Sequence, residues 1–252
     1  MAVITKYRAG MPCWVDLSTA NVDESVGFYG QIFGWTIEFD EVGGYGQFYR
    51  RDKSVAGLGS TMGDGTPTVW NIYIATDDAA KSVELAREAG AEVIAEPMEI
   101  TGEGTVAVFR DPTGAYAGVW QADLHAGAEL INEPGAVSLL ELVTDDVETA
   151  KDFYEQVFGW MAAAPADRYT PMLCDGSPVA GILRPDDQFP AEIPPRWLVY
   201  FGTASLDATI AQARGLGGRV LLGPIDMPGS GRFAVLGDPM GAPFAAWQPV
   251  HG

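Results

Sequence analysis

Histidine and cysteine are the scarcest chemistry-bearing residues in this chain of 252, with two of each. Cys13 and Cys174 form no CxxC pair and are too few for a disulfide framework. A reducing, cytoplasmic setting is therefore expected. His125 and His251 leave little imidazole for a metal centre, which needs several such ligands converging. Basic residues are also short, 15 Lys and Arg against 34 Asp and Glu, for a formal charge of −19. That field repels phosphate backbones, so nucleic acid is not an expected partner. No apolar run approaches the roughly 18 residues that cross a bilayer. Residues 1–10 carry Lys6 and Arg8 where a secretory leader has its apolar core, and no membrane partner is expected.

What the chain does have is aromatic side chains and repetition. Phe28, Tyr29, Phe33, Gly34 and Trp35 return at the same spacing as Phe153, Tyr154, Phe158, Gly159 and Trp160 (153 − 28 = 125). Asp111-Pro112-Thr113-Gly114 returns as Asp238-Pro239-Met240-Gly241, and Val55-Ala56-Gly57 as Val179-Ala180-Gly181. Trp70 and Tyr73 return as Trp197 and Tyr200, and Trp120-Gln121 as Trp247-Gln248. Such spacing marks an internal duplication.

Within each copy the hydrophobic period switches between that of a strand and that of a helix. Residues 12–17 alternate, with Trp14 and Asp16 on one face and Cys13, Val15 and Leu17 on the other, the latter expected to meet a helix. Asn21 stands at an N-cap position with Glu24 placed for a capping box. Val22, Val26, Tyr29 and Phe33 supply a packing stripe, and Gly34 a left-handed stop. Strands are predicted at 36–39, 46–50 and 55–60, and residues 63–67 read as a loop. A second unit follows: a strand over 68–76, a helix over 79–89 capped by Asp77 or Asp78, then strands at 93–95, 106–109 and through Trp120. The stretch around 123–134 has no sustained period and reads as a linker, after which the order restarts. The class is α+β, with four βαβββ units in domains 1–122 and 135–252.

A doubled βαβββ unit with FYxxxFGW on its first helix and a late DPxG turn resembles the vicinal oxygen chelate superfamily. That group includes glyoxalase I, bleomycin-resistance proteins and extradiol dioxygenases. The resemblance covers roughly residues 11–121 and 135–249, and is greatest to two-domain actinobacterial proteins labelled glyoxalase-like or hydroxylase. It implies two tandem glyoxalase-like domains, each a U-shaped mixed sheet around a cavity with helices outside. Metal-dependent relatives present His, Gln or Glu to one ion inside that cavity. Counted from the motifs, those positions are Trp14, Asn71 and Gly118 here, and Leu139, Leu198 and Ala245 in the second half; a further one near residues 48–50 is not placed. Only Asn71 is even a weak ligand, so neither a metal nor another cofactor is expected.

Residues two apart on a strand share a face. The first cavity is therefore expected to hold Trp14, Asp16, Asn71, Tyr73 and Trp120, and the second Glu141, Tyr200 and Trp247. Gly118 and Ala245 are expected to widen the two cavities. Aromatic walls with one carboxylate and a phenol suit a planar aromatic or cationic molecule. Asp16 and Glu141 are either hydrogen-bonded structural carboxylates or general bases, with Tyr73 or Tyr200 as hydrogen-bond donor. With more polar candidates, the first cavity, or the seam between halves, is the expected binding place. The expected function is metal-free sequestration of a small organic molecule, as in bleomycin-resistance proteins. The alternatives are a cofactor-independent hydroxylase, cyclase or isomerase on a polyketide-like or dicarbonyl substrate, metal-dependent glyoxalase or dioxygenase chemistry, and a protein-interaction role for the acidic surface. Whether the chain is an enzyme stays open. One chain supplies all four units, so monomer and homodimer are both compatible.

Overall fold

The computed structural model describes residues 3–40, 44–61, 63, 65–186 and 194–250. His251, Asp64 of the 63–67 loop and the first two residues lie outside them. The first half runs β1 (Pro12–Thr19), α1 (Val22–Phe33), β2 (Thr36–Phe39), β3 (Gly46–Arg50), β4 (Lys53–Ser60), β5 (Val69–Ala75), α2 (Ala79–Glu88), β6 (Glu92–Ile100), β7 (Gly104–Arg110) and β8 (Tyr116–Ala122). The second repeats it as β9 (Val137–Val143), α3 (Val147–Phe158), β10 (Met161–Ala162), β11 (Tyr169–Cys174), β12 (Ser177–Leu183), β13 (Arg196–Gly202), α4 (Leu206–Gly215), β14 (Arg219–Met227), β15 (Gly231–Gly237) and β16 (Pro243–Pro249).

Each half forms one eight-stranded sheet, in the orders β2-β3-β4-β1-β5-β8-β7-β6 and β10-β11-β12-β9-β13-β16-β15-β14. The first strands of the two units in each half meet antiparallel, β1 on β5 and β9 on β13, while β1 on β4 and β5 on β8 run parallel. The result is the expected α+β arrangement of four βαβββ units in two mixed sheets.

The helices start and stop where local chemistry directs. Asn21 accepts the Glu24 N–H at 3.2 Å, and Gly34 ends α1 at φ 68°. The capping box is incomplete: the Glu24 carboxylate takes the Asn21 side-chain amide, and the Asn21 backbone N–H donates to the Thr19 hydroxyl instead. Asp78, not Asp77, caps α2. The repeated Trp-Gln pair has a similar use, since Gln121 and Gln248 accept the Ala79 and Leu206 N–H groups at 2.9 and 2.8 Å. These are orphan donors that helix N-termini expose.

The buried stripe of α1 is Ser25, Phe28, Tyr29 and Phe33; Val22 and Val26 are only partly covered, one step round from the predicted stripe. The shift has a cause in the other half. Phe33 lies 5.1 Å from Phe201, Phe28 lies 6.1 Å from Phe244, and Phe109 lies 5.5 Å from Phe153, ring centre to ring centre. The helix-side faces of both sheets thus share one core. Two matched hydrogen-bond chains cross it. Trp70 donates to the Tyr29 hydroxyl at 2.9 Å, which donates to Asp238 at 3.0 Å. Trp197 donates to Tyr154 at 3.0 Å, which donates to Asp111 at 3.0 Å. The other oxygen of Asp111 accepts the N–H groups of Thr113, Gly114 and Ala115 in its own turn. The repeated Tyr, Trp and DPxG motifs are therefore one device used twice, satisfying polar groups that burial would otherwise penalise.

Cys13 departs from expectation. A register irregularity between Pro12 and Trp14 turns it out of the Val15–Leu17 core and into a small cluster with Trp14, Ala75, Trp120 and Ala128. The stretch between the sheets is no free tether either. Ala128 and Leu130 are buried, and backbone bonds run from Ala128 to Cys13 (2.8 Å) and from Glu129 to Ser54 (2.9 Å). Among the described residues no helix is long and apolar enough to cross a membrane.

Candidate functional site

The face of each sheet turned away from the helices carries the polar groups that packing does not require. In the first half, register sets Asp16 opposite Asn71, Trp14 opposite Tyr73, and Tyr73 beside Gly118. Asp16 accepts from Asn71 at 2.8 Å, from the Tyr73 hydroxyl at 3.0 Å and from the Tyr45 hydroxyl at 3.3 Å. Trp14 donates to Tyr45 at 2.9 Å, and Asn71 also donates to Ser18 at 2.9 Å. Burial pushes the Asp16 pKa up while these three donors pull it back.

That face is also covered. The His125 ring stands edge-on 4.5 Å from Trp14 and 5.7 Å from Trp120, whose indole N–H donates to the His125 carbonyl at 2.8 Å. Tyr7 donates to the Ala128 carbonyl at 2.6 Å. Burial drives the His125 pKa down to about 4, and its Nε2 has no partner among the described residues. A cleft of about 30 Å³, room for a water and little more, lies at the seam with the second half among Tyr7, Trp14, Ala128, Ile131 and Leu140, and Asp16, Asn71, Tyr73 and Trp120 do not line it. Gly118 does not widen the cavity: a Cβ there would fall 2.4 Å from the Tyr73 ring, which fills the space. Thus Trp14, Asp16, Asn71, Tyr73 and Trp120 are brought together; Trp14, Asp16 and Trp120 are buried, while Asn71 and Tyr73 stay partly exposed.

The second face is built differently. Glu141 stands opposite Leu198, and Tyr200 beside Ala245. Tyr200 donates to Glu141 at 2.8 Å, the sole hydrogen bond to that carboxylate among the described residues. Val143, Leu198, Val235 and Ala245 are buried around the pair, with Leu139, Leu222, Phe233 and Trp247 partly covered. Desolvation raises the Glu141 pKa to about 7 against the pull of Tyr200. Tyr169 is pushed up to about 12, by burial first and by the charge of Glu141 second. The Trp247 indole has no hydrogen-bond or ring partner among the described residues, unlike that of its counterpart Trp120.

Tyr45 and Tyr169 escaped the sequence reading because both lie at or before a strand's first residue, where alternation gives no face. Their signal lay in the glycines beneath them. A Cβ on Gly57 would fall 1.9 Å from the Tyr45 hydroxyl, and one on Gly181 would fall 2.3 Å from that of Tyr169. His125 escaped because it sits in an aperiodic stretch.

The positions that correspond to metal ligands in the resemblance are Trp14, Asn71 and Gly118, then Leu139, Leu198 and Ala245, all of them on these inner faces. Among the described residues no three His, Cys, Asp or Glu side chains come together as a metal ion needs. The residues present do not fit a divalent ion.

A model of the Glyoxalase/Bleomycin resistance protein/Dioxygenase superfamily matches residues 13–117 and 136–245. The chain belongs to this superfamily. Over 257 residues it is 37% identical to the putative glyoxylase CFP32 of Mycobacterium tuberculosis, covering 98% of this chain and 97% of that one. It is also 37% identical, over 272 residues, to the anthracycline biosynthesis protein DnrV of Streptomyces peucetius, covering 99% and 97%. Among solved structures, the Mn(II)-bound glyoxalase of Novosphingobium aromaticivorans matches with a TM-score of 0.69 at 18% identity, over 97% of this chain and 83% of that one. That likeness is one of fold. In this superfamily member the ligand-bearing positions hold Trp, Asn, Gly, Leu and Ala, and any activity has to be argued from the side chains present.

Proposed function

We propose that the protein binds a small planar aromatic molecule on its second inner face, with Glu141 and Tyr200 as the polar anchor and no metal ion held by the protein. The observation that carries this reading is the state of the two related carboxylates. Both are buried, but Asp16 has three donors, whereas Glu141 has one donor within an apolar wall. A carboxyl poised at about 7 accepts or gives a proton near neutrality and pairs with a phenol or enol oxygen. This reverses the preference that composition suggested: the more polar first face is saturated and the more apolar second one is unspent. The names of two relatives, DnrV and the anthracycline biosynthesis protein DauV of a Streptomyces species, agree with a fused-ring ligand.

The same observation favours a second reading, cofactor-independent proton transfer such as isomerisation or cyclisation of a polyketide-like or dicarbonyl substrate. Glu141 would take the proton from a carbon next to a carbonyl, the C–H electrons would move into the enolate, and Tyr200 would hydrogen-bond to its oxygen. Asp16 and Tyr73 would then keep the first face assembled. Titration with 1,8-dihydroxyanthraquinone, read by tryptophan quenching, tests the shared part. Trp247→Ala is expected to weaken binding about tenfold, the scale of one lost aromatic contact, and Trp14→Ala to change it little. Equal losses in both variants, or a larger one in Trp14→Ala, would sink the reading. With an enolisable 1,3-diketone, product formation that disappears in Glu141→Gln supports the enzyme; unchanged recovery supports sequestration.

A further inference from the structure

One cation on the second inner face has no partner among the described residues to explain it. Arg196 opens β13, and alternation puts it on the same face as Leu198 and Tyr200. Trp197, Val199 and Phe201, the intervening residues, lie in the shared core. Across the sheet Arg196 pairs with Val143, two residues along β9 from Glu141. Its Cα is thus a diagonal neighbour of Glu141, about 7–8 Å away.

Six basic side chains are partly buried among the described residues. Lys53 is paired with Glu129, Lys151 with Glu148, Arg168 with Asp186, and Arg232 with Asp207 and Asp226, while Arg50 donates to the Phe33 carbonyl. Arg196 is the sixth, and no hydrogen bond or ion pair reaches it among the described residues. Burial lowers its pKa. A guanidinium that loses water without gaining an acceptor costs free energy, and the cost is offset when an anion arrives. The repeat sharpens the point, because the corresponding position of the first half is Val69, which faces Ser18. The cation belongs to the second face only.

We infer that Arg196 reads an anionic group on the ligand, so that the second inner face takes planar aromatic acids, with the carboxylate on Arg196 and a hydroxyl or carbonyl oxygen on the Glu141–Tyr200 pair. This rests on the second face being the binding face. It also gives that face a preference opposite to the one the acidic surface suggests, since a guanidinium favours an anion and disfavours a cationic ring. Bidentate pairing would orient the ring system along the strand direction, from β13's first residue toward Tyr200.

Two probes of one shape test it: 1-hydroxy-2-naphthoic acid and its neutral counterpart 1-hydroxy-2-naphthamide, titrated at pH 6.5 where Glu141 keeps most of its proton. The acid is expected to bind at least about tenfold more tightly than the amide, the scale of a charge-assisted hydrogen bond. Arg196→Gln should erase that difference, the acid falling to about the amide's affinity, with an unchanged circular dichroism spectrum showing the variant to be folded. Arg196→Lys should restore part of it. Equal affinity of acid and amide in the unmodified protein overturns the inference alone, as does an Arg196→Gln variant that keeps the preference. Failure of both probes to bind, or binding abolished by Trp14→Ala and not by Trp247→Ala, overturns the underlying assignment of the binding face and this inference with it.

Discussion

Glu141 and His125 titrate in overlapping pH ranges with opposite consequences for stability. Glu141 has an ordinary value of 4.5 and a folded one of about 7. The folded state therefore holds its proton to higher pH than the unfolded chain does, and stability falls as pH rises from about 4.5 to about 7. His125 shifts the other way, from 6.5 to about 4, so the unfolded chain binds its proton first and stability falls as pH drops through that window. Glu141→Gln keeps an acceptor for Tyr200 and cannot ionise. In urea melts it should match the unmodified protein at pH 4.5 and exceed it by up to about 3 kcal/mol at pH 8, the shift converted at about 1.4 kcal/mol per unit. Parallel curves at the two pH values would show Glu141 to be solvated and ionised, and remove the basis for its role. Strand alternation and the repeat were enough to group Asp16 with Asn71 and Tyr73, and Glu141 with Tyr200. They were not enough to say which carboxylate is spent, because that turns on Tyr45 and on His125, which no periodicity places.

At the scale of elements, the strand closing each half and the helix it caps followed from the sequence because each depends on local rules. β6 did not: Glu96-Pro97 interrupts its alternation, and the strand continues to Ile100 only through two register shifts against β7. The segment 123–134 was the larger omission. Its order comes from tertiary contacts with Trp14, Trp120 and Ser54, so its own composition reads as loop. His125→Ala should leave space between the two indoles and admit water there. A red shift of tryptophan emission and faster iodide quenching are expected, with secondary structure unchanged by circular dichroism. Unchanged emission would mean that the imidazole does not seal the face.

At the scale of the whole molecule, a single core joins the halves, and the Tyr29–Asp238 and Tyr154–Asp111 bonds pin it at two places. Tyr29→Phe and Tyr154→Phe each leave a buried carboxylate and an indole N–H short of a partner, and each should cost about 1–3 kcal/mol. Unfolding should stay a single transition in both variants, because neither half has a complete core without the other. Two resolved transitions in calorimetry would contradict that. The pairing also gives the duplication a use as an internal comparison. The identical pairs Phe28 and Phe153, Tyr29 and Tyr154, Trp70 and Trp197, and Asp111 and Asp238 work in the joint. The pairs that differ at Trp14 and Leu139, Asp16 and Glu141, Asn71 and Leu198, and Val69 and Arg196 lie on the inner faces, beside the retained pairs Tyr73 and Tyr200 and Trp120 and Trp247. Joint and pocket thus occupy opposite sides of the same strands. A new recognition surface can be written on one side by changing every second residue, while the other side keeps the copies married.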